Sequence, residues 1–384
     1  MPQLSPRPSA SRITAPTRST GPESTLRCAL PGPRSRVDVS YTHSFDGVSP
    51  AEWRHLAERA GHVFASREWL HTWWRHYGKR DSPLVGVART GGKVVAIIAL
   101  KVWQPHGLPI LRFVGYGPSD QLGPICALRA EPTAADATTA LLEAIPLRRF
   151  FLIAEHVAGD LGFGELTGAH PLFRESSPVV RLGHTTWEEF LEARGRNFRQ
   201  QAGRFPRKLA NRGPVSYRLV DDADCLDRDL DLLFELHRKR WEGVDTPFLR
   251  ASAFHREFAA QALSEGWLRL WFLEVAGTPV AALYGFRFAG AESAYQAGRD
   301  PAFQGGVPAG FVLLVHALKE ALADGMSEYR LLRGGGAYKR RFATSDPGLE
   351  TFGLPQGRSA RLLLAVAEAV RGRSLGMRRL LDRT

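Results

Sequence analysis

Tyr338 and Lys339 stand one residue, Ala337, behind three glycines, Gly334, Gly335 and Gly336, and directly ahead of Arg340 and Arg341. A phenol that can donate a proton and an amine that can hold an anion follow a backbone stretch free of β-carbons, which allows close approach. The preceding Tyr329–Leu332 reads as a short apolar strand. Two readings fit the turn: a solvated basic loop, or site residues placed where strand gives way to helix. A second candidate runs from Gly298 to Gly310 and leads straight into an apolar helix. Such a turn exposes backbone N–H groups to which the helix dipole attracts anions, and a pyrophosphate fits it. It lacks the Gly-Lys-Ser/Thr of a Walker loop and is no well-placed dinucleotide fingerprint. His237 shares a helix face with Leu230, Phe234 and Trp241, which suits a packed histidine or a base. Arg240 and Trp241 would present a cation and an aromatic surface to a substrate. Tyr295 lies inside the strand before the glycine-rich turn, Glu292 at its start and Asp300 just beyond it. Either acid could accept a proton, and solvation of a strand end explains both equally well.

The elements that must position these residues occur in two similar series. In the first half a helix from about Ala51 precedes an aromatic-rich helix with Phe64, Trp69, Leu70, Trp73 and Trp74, most of them expected in the core. Strands at 84–88 and 94–103 flank a Gly91-Gly92 turn, followed by a strand at 111–114, a helix at 133–145 and a strand at 150–157. In the second half, helices near 230–241 and 254–263 precede a hairpin at 268–275 and 280–288. A strand at 293–298, a helix at 309–323 and a strand at 328–332 complete the series. Gly92-x-x-Val95-Ala96 aligns with Gly277-x-x-Val280-Ala281, and the same offset sets Trp69 against Phe254. The chain therefore reads as a duplicated α/β unit. Residues 1–40, rich in Pro, Ser, Thr and Arg, are expected to be a disordered basic tail. The first unit spans 41–182 and the second 183–357. Residues 358–384 form a basic amphipathic helix that packs on the domain or lies on an anionic membrane surface. Between the units, 197–212 forms an arginine-rich helix, read as a solvated face or as a basic rim over an anionic ligand.

Composition narrows the partners without choosing one. In 384 residues, 51 Lys and Arg against 39 acids give a net charge of +12, which favours nucleotide phosphates, coenzyme A, acidic glycans or nucleic acid. No run approaches the roughly 18 apolar residues of a membrane span, and no signal peptide is evident, so a cytoplasmic location is expected. Cys28, Cys126 and Cys225 have no paired spacing, and no His, Cys or carboxylate cluster suggests a metal. No Gly-x-Ser-x-Gly elbow points to a hydrolase.

The order of elements resembles the GNAT acetyltransferase superfamily, and specifically the tandem-GNAT, cellulose-biosynthesis-type acetyltransferases related to the FemABX peptidyltransferases. The resemblance rests on His237-x-x-Arg-Trp241, Gly266-Trp-Leu-Arg-Leu270, Gly277-x-Pro-Val-Ala-Ala282, Gly298-x-Asp-Pro301, Val307-Pro-Ala-Gly-Phe-Val-Leu-Leu314 and Gly334-x-x-x-Tyr-Lys339. These cover most of residues 190–355, with 45–180 as a degenerate partner unit. The resemblance implies an α/β (α+β) fold of two tandem GNAT-like units, each a mixed, mostly antiparallel sheet flanked by helices. It implies an acyl-CoA co-substrate, with Gln304, Gly305, Gly306, Val307, Ala309 and Gly310 around the pyrophosphate. Val307 stands where the superfamily pattern has a glycine. It implies Tyr338 as the acid that protonates the leaving thiolate, with His237 or Glu292 as base. Arg240, Trp241, Tyr295, Asp300, Lys339 and Arg341 would bind substrate. The acidic residues that usually precede the family's Tyr-Lys are replaced by Arg330 and Gly335-Gly336. A sugar, polysaccharide precursor or amine is the implied acceptor. Transfer from aminoacyl-tRNA, or a non-catalytic binding role, are the alternatives.

Overall fold

The computed structural model describes residues 37–78, 82–104, 107–127, 130–183, 186–303 and 307–371. The first half runs β1 (Val37–Thr42), α1 (Pro50–Ala60), α2 (Arg67–Tyr77), β2 (Leu84–Thr90), β3 (Lys93–Trp103), β4 (Ile110–Phe113) and α3 (Pro132–Glu143). It continues through β5 (Phe150–Ala158), α4 (Phe163–Thr167), β6 (His170–Glu175) and β7 (Val179–Arg181). Two linking helices, α5 (Trp187–Glu192) and α6 (Arg196–Ala210), lead to β8 (Val215–Leu219), α7 (Leu226–Arg240), α8 (Pro247–Arg250) and α9 (Ser252–Ser264). Then come β9 (Leu268–Val275), β10 (Thr278–Phe288), β11 (Ala291–Arg299), α10 (Ala309–Ala323), β12 (Glu328–Arg330), α11 (Ala337–Phe342), β13 (Leu349–Gln356) and α12 (Arg358–Arg371). Residues 37–40, expected within the tail, instead form with 41 and 42 an antiparallel edge strand along β2; the rest of that tail lies outside the described residues.

Local sequence explains where elements begin and end. Ser49 caps α1 by accepting from the Glu52 N–H, while the Glu52 carboxylate accepts from the Ser49 N–H, and Pro50 opens the helix. Gly61 ends it in the left-handed conformation. On α6, Phe198, Ala202, Phe205 and Leu209 fall on one face and are buried.

The strands form two sheets, ordered β1-β2-β3-β4-β5-β13-β6 and β7-β12-β11-β10-β9-β8. Each half thus lends a strand to the other's sheet: β13 closes the first and β7 edges the second. All pairings are antiparallel except β4 with β5 and β11 with β12. The two units repeat each other closely. Lys93 and Thr278, Trp103 and Phe288, and Arg67 and Ser252 are each separated by 185 positions, so β3 matches β10 and α2 matches α9 at their first residues. The aligned Trp69 and Phe254 meet edge to face, with ring centroids 4.8 Å apart, where α2 packs on α9. Trp69 also meets Phe258 at 4.6 Å. Such pairs add about 0.5–1.5 kcal/mol each beyond area burial. One core therefore runs through both units, and Trp53, Trp69 and Trp73 are all buried in it.

Two glycines permit backbone contacts on which the second unit depends. A bulge in β11 leaves Tyr295 without a partner in β10, and a β-carbon on Gly285 would lie 1.8 Å from the Ser293 carbonyl oxygen. A β-carbon on Gly298 would lie 2.6 Å from the His237 backbone nitrogen, so α7 rests directly on β11 there. Gly298→Ala is expected to push α7 outward and destabilise the fold by about 1–3 kcal/mol. Denaturant unfolding checks this; an unchanged midpoint and slope would show that the helix does not bear on the strand.

Candidate functional site

The parallel pairing of β11 with β12 holds only from Ala291–Ser293 to Glu328–Arg330. Beyond it the chain after β12 turns away to the β6–β7 link: the Leu331 N–H donates to the Pro178 carbonyl and the Gly334 N–H to the Ser176 carbonyl. Leu332 takes φ +58° in that turn, a strained conformation for a branched side chain. The edge of β11 from Ala294 onward consequently has no strand beside it among the described residues. Side chains from α7 meet it instead. The Ala297 carbonyl accepts from Arg240 Nη1 at 3.1 Å and from His237 Nδ1 at 3.1 Å.

Across this gap lies a cluster built from both units. Asp120 sits in the Gly115–Asp120 turn after β4, nearly buried, with its Oδ1 4.0 Å from Arg333 Nη1. Arg333 Nε donates to Glu175 Oε1 at 3.1 Å, and His156 Nε2 reaches the same oxygen at 3.3 Å. His156 also has positive φ, +53°. Lys339 Nζ donates to the carbonyls of Leu332, at 3.2 Å, and of Arg333. Tyr295 donates its hydroxyl to the Pro118 carbonyl at 2.6 Å, and Trp69 Nε1 donates to Ser119 Oγ at 2.7 Å. These two bonds pin the Asp120 turn to the shared core. Burial shifts the titrations of the cluster. It raises the Asp120 carboxyl to about 6 although Arg333 and Lys339 oppose the rise. It lowers the Lys339 ammonium to about 8, reinforced by Arg240 and Arg333 and opposed by Asp120. It lowers His156 to about 3, with Arg333 adding to the effect, so that ring is neutral.

The residues singled out in the sequence separate into two groups. Lys339, Arg240 and Tyr295 belong to the gap, with Tyr338 and Trp241 on its exposed flanks, each 46% exposed. Tyr295 is spent on Pro118, and burial holds its phenol well above the usual range. The structure argues against His237 as a base. A carbonyl can only accept, so Nδ1 carries the proton; Nε2 then accepts from the Thr246 hydroxyl at 3.0 Å. Burial lowers this ring to about 4, and no lone pair is left for a substrate. Its position secures α7 to β11. Glu292 lies at the far end of β11 from Gly298, buried against Arg287 at 2.8 Å and Arg269 at 3.5 Å. Asp300 caps its own turn through the Ala302 N–H and pairs with Lys239 at 3.3 Å. Neither acid reaches the cluster, because each is committed to holding a strand end. Arg341 lies over the Phe311 ring, 5.0 Å from its centroid.

In the glycine-rich turn, Val307 and Ala309 are buried, whereas Gly310 is exposed in the first turn of α10. Pro308 caps that helix without a side-chain acceptor. Gln304, Gly305 and Gly306 lie outside the described residues.

Sequence reasoning missed Asp120, His156, Glu175 and Arg333. One signal was available for Asp120. At the 185-position offset its turn, 115–120, falls opposite 300–305, so it is the first unit's counterpart of the glycine-rich turn. Two surface hollows of about 470 and 560 Å³ lie elsewhere, one beside Arg218 and Asp229, the other beside Trp267 and Arg287. Arg218 pairs with Asp229 beside the first, and Arg287 with Glu292 beside the second. Among the described residues, no three His, Cys, Asp or Glu side chains form a metal-ligand group.

The acetyltransferase (GNAT) domain family matches residues 196–340, a segment that includes α6, α7, the β9–β12 strands, α10 and Lys339. No curated protein sequence matches the chain. Among solved structures, FemX superposes with TM-score 0.60 at 9% identity, covering 85% of this chain and all of FemX. A conserved protein of unknown function from Bacteroides thetaiotaomicron gives 0.54 at 11% identity, covering 83% and 100% of the two chains. The C-terminal domain of a putative lysylphosphatidylglycerol synthetase from Agrobacterium fabrum gives 0.51 at 13%, covering 84% and 97%. At these identities the likeness is one of fold. Residues 196–340 thus carry a match to the acetyltransferase (GNAT) domain family, and the chain as a whole shares the fold of these solved structures.

Proposed function

We propose that the chain transfers an acyl group from a coenzyme A thioester to an amine or hydroxyl of a sugar, polysaccharide precursor or other small acceptor. The observation that carries this reading is the meeting of Asp120 and Lys339. They come from different units and are joined through Arg333, whose guanidinium lies 4.0 Å from Asp120 and whose carbonyl accepts from Lys339, and burial displaces their proton affinities to either side of neutrality. The uncapped N-terminus of α10 would receive the pyrophosphate, and the thioester would lie along the unpaired β11 edge. The neutral Lys339 amine donates its two N–H groups to Leu332 and Arg333, which leaves its lone pair to accept a proton from the attacking acceptor. As the acceptor atom bonds to the thioester carbon, the tetrahedral oxyanion lies beside the β11 backbone. The carbon–sulfur bond then breaks, and the thiolate takes the Tyr338 phenolic proton. Asp120, ionised above about pH 6, balances the protonated Lys339.

A second reading has a specific observation in its favour. Phe342 of α11 packs on Phe198 of α6, centroids 5.2 Å apart, and this sets Arg340 and Arg341 near the exposed Arg196, Arg199, Arg204, Arg207 and Lys208. No acid occurs between Ala193 and Val220. A face so charged suits a longer polyanion, such as an aminoacyl-tRNA donor, more than the phosphates of one coenzyme. Titration with acetyl-CoA and with tRNA at two salt concentrations separates the readings. Coenzyme binding supports the first, steeply salt-dependent tRNA binding without it supports the second, and neither indicates a binding protein without catalysis.

Three outcomes are expected. kcat/KM should rise with pH through an apparent pKa near 8, as Lys339 loses its proton. Lys339→Met should abolish that limb and lower turnover about 10²–10⁴-fold; a persisting limb removes Lys339 from the base role. Tyr338→Phe should lower turnover while sparing coenzyme affinity, and an unchanged kcat removes Tyr338 as the acid. The third outcome concerns stability. Folding raises the Asp120 carboxyl from 3.8 to about 6, so the native state holds its proton more tightly and loses stability as pH climbs through that window. Asp120→Asn should therefore stabilise the protein at pH 7.5 by on the order of 1–3 kcal/mol, with no gain below about pH 4. Unfolding midpoints at the two pH values test this.

A further inference from the structure

The outer face of α12 carries chemistry that the transfer reaction does not use. The helix packs on the first sheet through Ala360 and Leu364, which are buried against Ile110, Phe151 and Ile153, with Leu363 partly buried beside them. Its other side presents Leu362, 67% exposed, and Val366, 52% exposed. Trp103 is 45% exposed and pairs directly across from Ile110, which sets it on the same face of the sheet as the cluster under α12. Three of the large apolar side chains exposed among the described residues therefore lie on one side of the protein. The exposed Arg358 and Arg361 stand among them, and residues 358–366 contain no acid. The sequence that follows α12 adds Arg373, Arg378, Arg379 and Arg383 against Asp382 alone.

We propose that this face docks on an anionic lipid surface. Leucine, valine and tryptophan would enter the headgroup boundary while the arginines meet lipid phosphates, as in interfacial amphipathic helices. Charge decides against the obvious alternative. A second copy of the chain would set two cationic faces against each other, whereas an anionic bilayer complements both the apolar and the basic groups. The attachment is peripheral, since no described helix is long and apolar enough to cross a membrane. Its consequence is that the acceptor cleft would operate close to a membrane surface, independently of which donor the second unit takes.

Vesicle flotation of the full chain tests the proposal, with phosphatidylcholine vesicles compared against vesicles containing 30% phosphatidylglycerol. The expected result is binding to the anionic vesicles alone, lost at least tenfold in the Leu362→Glu/Val366→Glu variant and several-fold in Arg358→Ala/Arg361→Ala. Retained thermal unfolding of both variants shows that they remain folded. Two results would overturn the proposal. Binding that survives Leu362→Glu/Val366→Glu assigns lipid contact to the basic α6 face. Absence of vesicle binding, with a dimer in light scattering that the same variant dissociates, assigns the face to a second copy.

Discussion

Beyond Ser293 the outer edge of β11 has no neighbouring strand among the described residues, and every backbone group along it must find a partner elsewhere or await a ligand. The surroundings of the site follow from that break. The Ala297 carbonyl takes two side-chain donors, which draws the end of α7 onto the strand and requires Gly298 beneath it. The chain leaving β12 bonds instead to the β6–β7 link, which kinks Leu332 into a strained conformation and turns its carbonyl and that of Arg333 towards Lys339. A continuous parallel pair would fill the gap and leave the lysine without its anchor.

Both units are needed to build the far wall. The exchange of β7 and β13 places Glu175, at the end of β6, and Ser176, in the link that follows, beside the glycine turn of the second unit. The aromatic contacts between α2 and α9 hold the halves in one core, and the Tyr295 hydroxyl reaches from β11 to the Asp120 turn of the other unit. Motion of one half against the other would break buried hydrogen bonds as well as separate edge-to-face ring pairs. The first unit has thus kept the fold of its twin and turned its own post-β4 loop to another purpose. Where the second unit has a glycine-rich turn at a helix entrance, the first carries a carboxylate aimed at the shared gap.

Much of the fold was legible because it is written in local periodicity. The 185-position offset aligned Trp69 with Phe254 before any coordinates, and the two rings proved to touch. Strand exchange was not legible, since β6, β7 and β13 are short or partly exposed and carry no pattern naming their partners. The site was legible only in part. Lys339 and Tyr338 were marked by glycines nearby in sequence. Asp120 and Glu175 gain their meaning from Arg333, more than 150 residues away, and His156 through the same Glu175. His237 looked like a base because its type suits one, but its two hydrogen bonds come from a carbonyl 60 residues on and a threonine that also caps α8. Glu292 looked like a solvated strand end, yet it is buried beneath Arg287.

Two buried charge arrangements in the same chain show why one is chemical and the other structural. Glu292 lies against two guanidiniums, which cannot be deprotonated, so its partners stay charged and the group serves to tie β10, β11 and α10 together through Arg287 and Asp324. Asp120 and Lys339 are also largely withdrawn from water, but their cluster includes an amine that can shed its proton and a carboxyl that can hold one near neutral pH. Desolvation raises the Glu292 and Asp120 carboxyls alike; the second arrangement also holds an amine whose proton affinity burial lowers towards neutrality. The proposed transfer is assigned to the second arrangement for that reason: Lys339 follows the point where β11 and β12 part, whereas Glu292 sits where they are still joined.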